Sequence, residues 1–116
     1  MTYRQVTQRA SANYPVRIYT ASGGVYKATL SKVSATGLAI LFTAPADVGT
    51  KLMLQFNLFV NNKQKNIKVG CTVVNSYLKG NRYHIGVTYF WNSEEQENDI
   101  LAYIEERNNI ESIPTY

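Results

Sequence analysis

Lys51-Leu-Met-Leu-Gln-Phe-Asn-Leu-Phe-Val60 is the stretch that decides the fold. Leu52, Leu54, Phe56, Leu58 and Val60 occupy every second position without a miss. A period of two sends alternate side chains to opposite faces of a strand, so this segment reads as a β-strand with one buried face. Asn61-Asn62 follows it, and asparagine tolerates the left-handed region that a tight hairpin turn requires. Residues 66–77 alternate again through Ile67, Val69, Cys71 and Val73. Lys79-Gly80-Asn81 then turns the chain into a last strand over 83–89, with Tyr83, Ile85, Val87 and Tyr89 on one face.

The same pattern holds upstream. From Tyr14, Val16 and Ile18 face inward while Arg17 and Tyr19 face out. Ser22-Gly23-Gly24 supplies a turn, because glycine reaches positive φ at no steric cost. Residues 25–33 return with Tyr26, Ala28 and Leu30 on one face, and 38–43 reads as a buried strand. Ala44-Pro45-Ala46-Asp47-Val48-Gly49 is a loop. The spacing predicts six strands joined mostly by tight turns, an antiparallel sheet that removes its edges by closing into a small barrel.

The chain then changes character. Asn92 or Ser93 can cap a helix, Ser93 with Gln96 has capping-box spacing, and Glu94, Glu95 and Glu97 fall where a helix dipole favours negative charge. Ile100, Leu101 and Ile104 form one apolar stripe, so a C-terminal helix over roughly 93–107 should pack against a face or mouth of the barrel. Residues 1–13 are polar and read as a basic, flexible arm; residues 14–116 form the barrel with its helix. The fold class is mainly β.

At 116 residues the chain fits one domain, and 45% hydrophobic residues suffice for a core at that size. No apolar stretch is long enough to span a bilayer and the N-terminus lacks an apolar signal region, so a cytoplasmic protein is expected. One cysteine and one histidine leave neither an intrachain disulfide nor a multi-ligand zinc site.

The net charge of +4 conceals an asymmetry. Residues 1–93 carry eleven bases against the single acid Asp47; residues 94–116 carry seven acids against Arg107. A body so basic favours anionic partners. Catalysis has little to work with. Asp47 is the only carboxylate before the helix, His84 falls on the face opposite the core, and Cys71 falls in register with core residues. No phosphate loop and no nucleophile elbow appears, so neither a catalytic residue nor a metal ligand is expected.

The polar arm, the barrel, a Ser-x-x-Gly turn and the closing helix together resemble the PilZ family, bacterial domains that sense the second messenger cyclic di-GMP. The resemblance covers nearly the whole chain. Lys32-Val33-Ser34-Ala35-Thr36-Gly37 is similar to the family's Asp/Asn-x-Ser-x-x-Gly, with Ser34 and Gly37 in place and Lys32 where an Asp or Asn is usual. Arg4-Gln5-Val6-Thr7-Gln8-Arg9 resembles its Arg-x-x-x-Arg arm: Arg9 matches the second arginine, Gln5 stands at the first, and Arg4 matches the extra arginine ahead of it. The segment from Arg82 to Phe90, with Ile85-Gly86 within it, resembles the family's last strand.

The resemblance implies a split six-stranded barrel and a non-catalytic module. In the family the arm wraps cyclic di-GMP against the barrel, which by carry-over gives Arg4, Arg9, Lys32, Ser34 and Gly37 as ligand-binding residues. Arginine suits such a ligand because its planar fork pairs with phosphate or with guanine O6 and N7. Lys32 has donors but no acceptor, so it can reach a phosphate but cannot accept a guanine N–H. Protein partners in motility, pilus, biofilm or polysaccharide control are implied as well. Two other readings stand beside this one. A PilZ domain with degraded motifs would work through a protein partner alone and show an exposed apolar patch near Trp91, Tyr103 or the helix end. A small basic barrel can also bind single-stranded nucleic acid on exposed rings, here Tyr3, Tyr19 and Trp91, although no clustered aromatic motif supports it.

Overall fold

The computed structural model describes the backbone of residues 9–111 and the side chains of residues 10–108. Six strands precede one helix: β1 (Arg9–Thr20), β2 (Val25–Ser34), β3 (Gly37–Phe42), β4 (Lys51–Val60), β5 (Lys63–Lys79), β6 (Arg82–Trp91) and α1 (Glu94–Glu111). Every pairing is antiparallel, and the sheet closes on itself in the order β1-β2-β3-β6-β5-β4. The loop after β3 crosses to β4 beside β5, where Gly49 N donates to Val73 O at 2.8 Å and Val73 N donates to Thr50 O at 2.8 Å.

The alternation in β4 is realised without exception, with Leu52, Leu54, Phe56, Leu58 and Val60 all buried. Ile67, Val69, Cys71 and Val73 answer from β5, each fully buried. Asn61 and Asn62 take φ values of 52° and 63° between the paired ends Val60 and Lys63, a turn built from two left-handed residues.

The pattern breaks where strands carry register shifts. A shift between Leu30 and Lys32 lets both Leu30 and Val33 point into the core, which strict alternation from Leu30 forbids. Tyr26, expected on the inner face, is half exposed at the barrel's edge and meets Phe42 edge-on at 5.9 Å. Further shifts lie in β1 between Ser11 and Tyr14 and in the β5–β6 pairing. Such shifts bend strands and add the twist that a six-stranded closure demands.

The largest boundary differences from the sequence expectation lie in β1 and α1, while β5 and β6 also run a few residues past theirs, over Lys63–Lys79 and Arg82–Trp91. β1 begins at Arg9 rather than at Tyr14, because residues 9–11 pair through their backbones with the end of β2 and Ala10 drops into the core. The helix runs to Glu111 rather than ending near residue 107. Ser93 caps it: its Oγ accepts from Gln96 N at 3.2 Å and its carbonyl from Glu97 N at 2.9 Å. The reciprocal half of a capping box is absent from that end, since the Gln96 side chain reaches instead to the Lys68 backbone of β5, donating to Lys68 O at 2.8 Å and accepting from Lys68 N. The buried stripe of α1 is Ile100, Tyr103 and Ile104, whereas Leu101 is exposed. Tyr103, expected near a surface patch, is fully buried; its hydroxyl donates to Ser11 O at 3.1 Å and its ring meets Tyr14 edge-on at 6.3 Å. The helix is thereby fastened to the first residues of β1, the segment through which the N-terminal arm joins the barrel.

Candidate functional site

The turn between β2 and β3 is organised by one hydroxyl. Ser34 Oγ accepts from Gly37 N at 3.1 Å and from Thr36 N at 3.3 Å, and donates to Gly37 O at 3.0 Å. A second hydroxyl locks the turn from below: Tyr89 OH donates to Ser34 O at 2.9 Å, with Gly37 O at 3.3 Å. Burial holds the Tyr89 phenol well above its ordinary pKa, reinforced by the neighbouring Cys71 thiol, so it stays a hydrogen-bond donor. Gly37 is required by packing. A Cβ there would lie 2.0 Å from Val87 O across the β3–β6 pairing.

This turn forms one wall of a trough on the outer face of β2, β3, β6 and β5, with a volume of about 350 Å³. Register explains its shape. Lys32 pairs with Ala39, Ala39 with Gly86, and Gly86 with Asn75, so one row of outward residues crosses four strands. Its middle members, Ala39 and Gly86, are small. The Asn75 side chain lies over Gly86: Gly86 N donates to Asn75 Oδ1 at 3.1 Å, and a Cβ on Gly86 would meet that atom at 2.7 Å. Tyr77 closes the β5 side, half exposed and stacked on the His84 ring with centroids 4.6 Å apart. Lys32 and Lys79 stand on opposite sides, and no carboxylate is among the described residues lining the trough. The site can therefore take an anionic ligand with a planar group: an aromatic face offers stacking and two ammonium groups offer charge.

The model of the PilZ domain family matches residues 3–106. The chain belongs to the PilZ domain family. Solved PilZ structures share its fold at low sequence identity. MotI/DgrA, the Bacillus subtilis inhibitor of motility, superposes with a TM-score of 0.86 at 16% identity, covering 97% of this chain and 55% of that one. The PilZ domain of Escherichia coli YcgR with c-di-GMP gives 0.64 at 15% identity, covering 96% and 100%. MrkH of K. pneumonia, in complex with c-di-GMP, gives 0.68 at 14% identity, covering 97% and 55%. The chain thus spans just over half the length of the MotI and MrkH chains. No curated protein sequence matches it significantly.

Of the residues expected from the PilZ motifs, Lys32, Ser34 and Gly37 come together at the trough. Ser34 and Gly37 are engaged with the turn itself, so they shape the wall. The Arg9 backbone pairs with Ser34, which brings the root of the arm to the same wall; its side chain, and Arg4 with all of residues 1–8, lie outside the described residues. Sequence reasoning missed Asn75, Tyr77, Lys79 and Thr88. Asn75 and Tyr77 sit beyond the β5 register shift between Val73 and Asn75, and nothing in the linear pattern announces which face they take. Their one legible signal is Gly86, whose missing side chain makes room for Asn75. Among the described residues no helix is long and apolar enough to cross a membrane, and no group of three or more His, Cys, Asp or Glu could hold a metal ion.

Proposed function

We propose that this PilZ domain is a non-catalytic signalling module that binds cyclic di-GMP in the trough, with the arm residues Arg4 and Arg9 closing over the ligand. The observation that carries the reading is the convergence of Lys32 and the Ser34–Gly37 turn with the backbone of Arg9 on one concave, cationic surface. Lys32 and Lys79 supply point charges for the two phosphates. Tyr77 offers a face for a guanine ring, and the Asn75 amide NH2, whose oxygen is held by Gly86 N, can donate to guanine O6 or N7. The c-di-GMP complexes of YcgR and MrkH support a ligand of this class.

Calorimetric titration with cyclic di-GMP tests it, with cyclic di-AMP as control. The expected result is low-micromolar binding of the guanine ligand only. Lys32→Glu should weaken it by about a hundredfold, the equivalent of one charge-assisted hydrogen bond lost and a repulsion gained. Arg9→Ala should weaken it at least tenfold on the same scale. The substitution of Lys32 for the usual Asp or Asn favours a second reading, in which the domain no longer takes the nucleotide and acts through a protein partner. No heat and no thermal shift at millimolar ligand would select that reading.

A further inference from the structure

Away from the trough, the outer surface of the barrel carries a continuous apolar row. Val25 pairs with Tyr19, Tyr19 with Met53, Met53 with Gly70, and Gly70 with Trp91. Their sequence neighbours Ile18, Leu52, Leu54 and Cys71 are buried, so this row faces outward. At its end the β5–β6 register slips: Gly70 pairs with Trp91 while Cys71 pairs with Tyr89, leaving Phe90 as the extra residue of a bulge. A bulge turns two consecutive side chains toward one face. Phe90 and Trp91 are accordingly both exposed, at 53% and 50%. Phe90 is held in place, its ring over Gly70 (a Cβ at Gly70 would meet Cζ at 2.7 Å) with Lys51 Nζ 4.6 Å from the ring centre.

Beside this row runs a second. Lys27 pairs with Arg17, Arg17 with Gln55, and Gln55 with Lys68. Two residues along each strand separate the rows, about 7 Å. One extended segment bending with the barrel reaches both, because side chains to either side of its backbone span that separation.

We propose that this surface, on the outside of β2, β1, β4, β5 and the end of β6, docks an acidic segment of another protein that carries aromatic or aliphatic anchors. Charge complementarity argues for the acidic character: the apolar row is bordered by Lys27, Arg17 and Lys68 on one side and by Lys51 over Phe90. Shape argues against a lipid surface, since the row crosses five of the six strands of a closed barrel and so curves away from any plane. A second copy is a poor occupant. Its acidic element is α1, whose described residues expose Leu101 as their one large hydrophobic side chain. The surface shares no residue with the trough, so the proposal stands whether or not the nucleotide binds.

A display library of random peptides about twelve residues long, long enough to follow four strand spacings of about 4.8 Å, tests the proposal. It is selected on the full chain and counter-selected on the Phe90→Ala/Trp91→Ala double variant. The enriched peptides are expected to combine Asp and Glu with Leu, Ile, Phe or Trp. A synthetic representative should lose about tenfold in affinity in the double variant, as truncated aromatic anchors do. It should lose as much in Arg17→Glu/Lys68→Glu, which leaves every apolar contact in place, and should weaken with salt. Amide shifts should centre on Met53, Gly70 and Trp91. Unchanged thermal midpoints show that both variants fold. Peptides without acidic bias, or binding indifferent to both variants, overturn the proposal. So does binding to phosphatidylserine vesicles that the aromatic variant abolishes, or a concentration-dependent dimer that it dissolves, each giving the face to another occupant.

Discussion

Gly37→Ala is the substitution with the most to reveal about the wall of the trough. The added methyl would sit 2.0 Å from Val87 O, 3.0 Å from Val87 C and 3.1 Å from Thr88 Cα. A relaxed carbon–oxygen contact is about 3.3–3.6 Å, so β3 and β6 must part by about 1.3–1.6 Å. All three obstructing atoms are backbone, and no side-chain rotation relieves the clash. Overpacking of this kind costs about 1–3 kcal/mol. Displacing the strand also strains the two hydrogen bonds between Gly37 and Ser34 Oγ, each worth about 1 kcal/mol. The sum is about 3–5 kcal/mol, and at roughly 4 °C per kcal/mol for a domain of this size the thermal midpoint should fall by about 12–20 °C. Gly23→Ala is the control: its φ of 94° makes alanine strained, but nothing lies within 4 Å, so the cost is left-handed strain of about 1–2 kcal/mol. Thermal unfolding followed by circular dichroism, checked by urea titration, reads both. A Gly37→Ala protein as stable as the parent that loses its response to cyclic di-GMP would refute the reasoning, because the glycine would then be making room for ligand and not for the Val87 carbonyl.

Tyr89→Phe removes the donor that ties Ser34 O and Gly37 O together, and should cost about 1–2 kcal/mol in urea unfolding, since buried carbonyls lose their partner. Ser34→Ala should cost a similar amount, about 1–2 kcal/mol, and lower nucleotide affinity by disordering the wall rather than by removing a ligand contact; increased amide exchange at Thr36 and Gly37 without ligand would show it. Burial pushes the Cys71 thiol from 9.0 up to about 12, so the native protein should resist thiol reagents at pH 8 and react only in denaturant. The same shift has a sign. The unfolded chain releases this proton near pH 9 and the folded chain keeps it to about pH 12, so the contribution to stability is complete below pH 9 and is lost as pH rises from 9 to 12. Urea midpoints measured across that range should fall, and Cys71→Ala should flatten part of the slope.

How much was legible depends on what each feature needs. The strands β4 and β5, their Asn61-Asn62 turn, the inward Cys71 and the Ser93 cap were all written in local pattern, because period-two burial and turn chemistry are properties of a few adjacent residues. Ser34 and Gly37 were legible as a turn for the same reason. Register was not legible. The shifts near Ser31, Phe90 and Val74 decide which side chains face out, and they arise from closing six strands into one barrel, a requirement no segment carries by itself. Hence local pattern does not show that the barrel mouth buries Tyr103, nor that β2 pairs with the polar start of β1. Charge and periodicity along the chain specify a basic, antiparallel barrel closed by an acidic helix. That Asn75, Tyr77 and Lys79 join Lys32 around one trough follows from the assembled barrel, because residues distant in sequence become neighbours through the strand order β2-β3-β6-β5.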